Sequence, residues 1–106
     1  MELFLLGLGP RPDFRLVVEV LFGDVDNAKT DGDSKNPATT RWTDLWCRER
    51  SDTQGRTVVA VELVQVDPLI MAVRAESTEL AALCALFMLV ETGCRVSKDV
   101  DGNVTL

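Results

Sequence analysis

The chain has 106 residues, 46% hydrophobic and 26% charged, which is the composition of one globular domain spanning residues 1–106, large enough to bury a core without staples. Its net charge of −6 excludes the basic footprint of direct nucleic-acid binding, disfavours anionic membrane surfaces, and favours a basic protein partner drawn in by electrostatic steering. The cysteine count of 3 is odd and no CxxC pair occurs, so reduced thiols in a cytoplasm are expected rather than a secreted disulfide framework.

Met1 to Gly9 is apolar but lacks a basic n-region and a cleavage-like site. It reads as a first strand, Glu2 to Leu8, rather than a signal peptide. Pro12 to Gly23 places Phe14, Val17, Val18 and Leu21 at helical spacing. Pro12 suits a first turn and Gly23 a stop. The valine content pulls toward strand, but the spacing predicts a helix. Asp24 to Thr40 is polar and without period, and is expected to be one long exposed loop.

Arg41 to Arg50 and Arg56 to Val66 read as two strands of an antiparallel hairpin turning at Ser51 to Gly55. The run Thr57 to Val64 is apolar on both faces apart from Glu62, as in a central strand. After the Asp67-Pro68 break, Leu69 to Ala75 alternates as a third strand. Ser77 to Thr92 is a helix with Ser77 as N-cap, Glu79 at the positive end of the dipole, and Gly93 as its end. Its interior, Leu80 to Val90, carries no polar side chain and, at eleven residues, is too short to span a bilayer. Such a helix is buried on most sides or meets a partner. Cys94 to Leu106, with Asp101-Gly102 as a turn, fits a last small hairpin. The expected fold is α+β, in the order β-α-β-β-β-α-β, with a largely antiparallel four- to five-stranded sheet packed by two helices.

The chain contains 0 histidines and 0 tyrosines. That removes the commonest general base, the commonest metal ligand and every Ser-His or Cys-His nucleophile pair. A binding protein without catalytic residues or cofactor is therefore expected. Glu19 and Glu62 each interrupt an apolar run. They are either buried acids or, as the reading prefers, solvent-facing residues of amphipathic elements. A carboxylate-only enzyme would need both in one cleft. Asp24, Asp26, Asp31 and Asp33 outline a calcium loop, but Lys29 stands where the loop needs glycine and Lys35 where it needs glutamate. A solvated acidic loop is the better reading, and no metal is expected. Trp42 and Trp46, on a strand, share a face with Asp44 between them. They read as core under the long loop or as interface anchors, with core preferred. Asn103-Val104-Thr105 matches a glycosylation sequon, which matters only in a secreted protein.

Trp42-Thr43-Asp44-Leu45, Val59-Ala60-Val61-Glu62-Leu63, Asp67-Pro68-Leu69 and the helix from Ser77 to Gly93 together resemble, in outline, the immunity proteins of bacterial polymorphic toxin systems, including contact-dependent growth inhibition. The resemblance covers residues 41–93 and transfers no functional residue. It implies a cytoplasmic antitoxin that neutralises one toxin domain in a one-to-one heterocomplex. A nuclease toxin would present a basic surface that an acidic protein can cover. Asp24, Asp26, Asp31 and Asp33, with Trp42, Asp44 and Trp46, are the expected contacts. The alternative is a non-catalytic oligomerisation or adaptor module whose apolar helix 77–92 forms a symmetric interface through Leu86 and Leu89.

Overall fold

A computed structural model describes residues 1–32 and 42–99. Among them the chain forms strand β1 (Glu2–Leu6), helix α1 (Phe14–Phe22), a 3-10 turn (Val25–Asn27), strands β2 (Ala28–Gly32), β3 (Asp44–Glu49), β4 (Val59–Gln65) and β5 (Ile70–Ala75), helix α2 (Thr78–Thr92) and strand β6 (Arg95–Ser97). The strands make one six-stranded sheet in the order β2-β3-β4-β5-β1-β6, and every neighbouring pair is antiparallel. The α+β class and the two helices are as expected, and the sheet has one strand more than the upper expectation.

The additional strand is β2, which corrects the expectation of a single exposed loop over Asp24 to Thr40. Its residues, Ala-Lys-Thr-Asp-Gly, show no apolar alternation because β2 is an edge strand held by main-chain pairing to β3. Ala28 joins the core. The Arg50 guanidinium fastens the entry to the strand, donating to the carbonyls of Asp26 and Ala28 at 2.9 and 3.3 Å. The remainder of that segment, residues 33–41, and the turn expected at Asp101-Gly102 lie outside the described residues.

Helix α1 forms despite its valines because the helical spacing buries Phe14, Val17, Val18 and Leu21 on one side. Burial of four large apolar side chains outweighs a propensity difference of a few tenths of a kcal/mol per valine. Asp13 caps it, accepting from the Arg15 amide at 3.0 Å. The Arg15 guanidinium beside Asp13 also holds its carboxyl below the ordinary range. Gly23, at φ 87°, ends the helix with its N–H on the Glu19 carbonyl, a backbone conformation that a side chain strains.

Helix α2 starts where Ser77 Oγ accepts from the Leu80 amide at 3.2 Å and stops at Gly93 in the left-handed conformation. Its core-facing residues, Ala81, Cys84, Ala85 and Met88, are mostly small. Both helices contribute to one cluster with Leu3, Leu5, Leu45, Val59, Val61, Met71 and Val73. These strand residues share one parity of the sheet register, so α1 and α2 lie together on one side of it. No helix among the described residues is long and apolar enough to cross a membrane.

The β3–β4 hairpin is closed by a polar turn. The Asp52 carboxylate accepts from the Thr57 amide at 2.9 Å, the Thr57 hydroxyl at 2.7 Å and the Gln54 amide at 3.1 Å. The Arg48 guanidinium donates to the carbonyls of Glu49, Arg50 and Asp52. The bonds from Thr57 favour the charged carboxylate most and hold its pKa at about 2, against an ordinary 3.8. The stability Asp52 contributes is therefore complete above 3.8 and is lost as pH falls toward about 2. Replacing Asp52 with Asn is expected to lower Tm at neutral pH and to flatten the stability-versus-pH curve across that window. A titration of Tm that follows the unmodified protein through the same window would contradict this role.

Cys47, Cys84 and Cys94 are all buried free thiols. Burial pushes the Cys47 thiol up to about 12 and raises those of Cys84 and Cys94. All three are neutral at physiological pH and poor nucleophiles. Native protein treated briefly with iodoacetamide should carry no adduct by mass spectrometry, while protein in denaturant should carry one on each cysteine. Rapid native labelling of Cys47 or Cys84 would contradict this packing.

Candidate functional site

With both helices on one side, alternate strand residues project from the opposite side of the sheet. Two register rows meet there. One runs through Glu2, Arg74, Ala60, Trp46 and the backbone position of Asp31; the other through Phe4, Ala72, Glu62 and Asp44. Trp46 is half-buried and Asp44 exposed. Trp46, Ala60, Glu62, Arg74, Glu2 and Met1 line a shallow open depression. Glu76 also lines it, adding a further carboxylate.

Arg74 sits between two carboxylates and donates from Nε to Glu2 and from Nη1 to Glu62. Glu2 is its direct cross-strand partner, and Glu62 is diagonal, since Ala60 lies opposite Arg74. The bond to Glu2, first, raises the Arg74 pKa further. The three side chains are 43–47% exposed, so each pair is worth about 0–1 kcal/mol to stability. The triad's more important effect is on orientation. One guanidinium is shared by two acids, and the depression keeps a net negative charge next to a partly exposed indole.

The expected site residues separate into three groups. Asp44 and Trp46 come together on the open face, with Asp31 paired to Trp46 in register. Asp24 and Asp26 belong to the 3-10 turn. Both are exposed, and Asp24 caps the turn by accepting from the Asp26 amide at 3.0 Å. They lie by the Glu49–Arg50 end of β3, whereas Asp44 opens its other end. Asp24, Asp26 and Asp31 therefore do not lie in one loop, because β2 carries the chain away from the turn. Asp33 lies outside the described residues.

Trp42 is corrected from its shared face with Trp46. It precedes β3, is 2% exposed, and belongs to the core cluster. Its indole N–H donates to the Pro12 carbonyl at 2.7 Å. Its own carbonyl accepts from Arg11 Nε at 2.9 Å. Arg11, 8% exposed, also donates to the Gly9 carbonyl at 3.3 Å. These bonds clasp the lead-in of α1 to the lead-in of β3. The period-two argument failed because Trp42 is outside the strand, where backbone alternation no longer applies.

Glu62 faces solvent, as the preferred reading had it, and Glu19 is exposed on α1. Lying on opposite sides of the sheet, the two do not share a cleft. Glu2, Arg74 and Glu76 were not legible as site residues, since only the pairing of β1 with β5 brings Glu2 to Arg74. Among the described residues no group of three or more histidine, cysteine or acidic side chains is placed to hold a metal ion.

No family model matches the chain, and neither the curated proteins nor the solved structures compared with it give a match.

The two tryptophans should separate cleanly by mutation. Trp42→Ala removes a buried anchor and is expected to cost about 3–5 kcal/mol in urea unfolding. Trp46→Ala, on the open face, should cost less than half as much. Equal losses would mean that Trp46 is as much a packing residue as Trp42.

Proposed function

We propose that this chain is an immunity-type binding protein that neutralises a toxin domain by covering its basic surface with the open face of the sheet. The observation that carries the reading is Trp46, a half-buried indole standing among Asp44, Glu62 and Glu2. Tryptophan is enriched among residues that dominate binding energy. Its π face attracts a lysine or arginine, and the surrounding carboxylates add charge complementarity. The net charge of −6 extends that attraction beyond contact distance and accelerates encounter. A nuclease fits best as the toxin, because it must hold phosphates on a basic surface. The protein would act in the cytoplasm, as a one-to-one complex, without a cofactor.

The structure's arrangement shifts the emphasis within the site. Asp44 and Trp46 are the contacts this reading favours, with Asp31 at the neighbouring register position. Asp24 and Asp26 would reach only the margin of such an interface.

The test is growth rescue. The C-terminal domain encoded directly upstream is expressed with and without this protein, and survivors are counted. Killing that disappears only when this protein is present is the expected result. A harmless upstream product, or killing that persists, removes the proposal. With a toxin in hand, Trp46→Ala should weaken binding by about tenfold or more, and the association rate should fall as salt rises.

A further inference from the structure

The outward side of the helical layer carries a second feature. Ala81, Cys84, Ala85 and Met88 of α2 face the core. Directly opposite them on the helix, Glu79, Leu83, Leu86 and Val90 fall on one line at spacings of four, three and four. The three apolar members are 41%, 59% and 76% exposed. Alternating three- and four-residue spacing is the seam by which one helix packs along another. Helix α1 packs beside α2 and exposes Leu16 and Val20. A single exposed leucine needs no explanation, but an aligned stripe of large apolar residues marks an interaction surface. Leu89, in contrast, packs against the core, so of the pair Leu86 and Leu89 it is Leu86 that belongs to the exposed stripe.

Charge decides what can cover this stripe. The charged residues of the two helices are Arg15, Glu19, Glu79 and Glu91, all exposed. Arg15 is already held by Asp13 at 2.7 Å. A second copy of this surface would bring carboxylates to carboxylates, and an anionic membrane would meet the same repulsion. We infer that the outer surface of α1 and α2 docks an amphipathic helix of a protein partner whose apolar stripe is flanked by lysine or arginine. Leu83, Leu86 and Val90 would pack against the partner's apolar side chains, and Glu79 and Glu91 would meet its cations. The surface lies across the sheet from Trp46, so the inference stands apart from the toxin reading, and both faces can be occupied at once.

The probe is a fluorescein-labelled amphipathic helical peptide of leucine and lysine, with a matched peptide carrying glutamate in place of every lysine. Fluorescence anisotropy should show binding of the lysine peptide only. Leu86→Gln and Val90→Gln, at exposed positions that leave the core intact, should each weaken it by about tenfold. Trp46→Ala should leave it unchanged, which separates this surface from the sheet face. Binding of both peptides alike, or binding indifferent to Leu86 and Val90, would overturn the inference. So would a concentration-dependent dimer in sedimentation equilibrium that Leu86→Gln dissolves, since a second copy would then cover the stripe.

Discussion

The close seating of α2 on the sheet is the constraint from which the other features follow. Ala81, Cys84 and Ala85 present little bulk to the strands, so the helix backbone approaches β1 and β5 closely and still packs beside α1. Interiors are packed to crystal-like density, and small residues on one partner are what allow large ones on the other. Leu3, Leu5, Met71 and Val73 fill the space that the alanines leave. Both helices thereby occupy one side of the sheet, and the opposite side carries Glu2, Trp46, Glu62 and Arg74 together with the apolar Phe4, Leu6, Ile70 and Ala72.

That asymmetry explains why the molecule offers two surfaces of different character. Around Trp46 the sheet face is acidic with one half-buried indole, because alternation sends Glu2, Asp44, Trp46, Glu62 and Arg74 away from the helices. The helical face is apolar, because α2 has more large hydrophobic residues than one buried stripe can use. Under the two proposals, the acidic region with its indole would take cations and the apolar seam would take another helix. The clasp of Arg11, Trp42 and Pro12 holds the helical layer to the start of β3, so both surfaces are parts of one packed unit.

Much of the secondary structure was legible because burial imposes a period on the residues that carry it. Phe14, Val17, Val18 and Leu21 announce α1, and Ser77 and Gly93 bound α2. The β3–β4 hairpin is visible as two apolar runs about a polar turn. β2 was not visible, since an edge strand stabilised by backbone pairing needs no hydrophobic alternation. The site was legible in part. Trp46 and Asp44 could be named from residue type, and Glu62 could be assigned to solvent. Arg11 gave no signal, because it donates to backbone carbonyls, those of Gly9 and Trp42 among them, which no residue type announces.

The sequence by itself determined the class of the fold, the two helices with their caps, and the acidic net charge. These depend on local spacing and on composition, which a linear chain carries in full. Only the tertiary structure decided that Trp42 is core and Trp46 is not, that Glu2 and Glu62 share Arg74, and that the aspartates between Asp24 and Asp31 are divided between a turn and a strand. Those facts depend on strand register and on which side the helices cover. Both are settled by contacts between residues far apart in the chain, such as Glu2 and Arg74, for which local pattern holds no information.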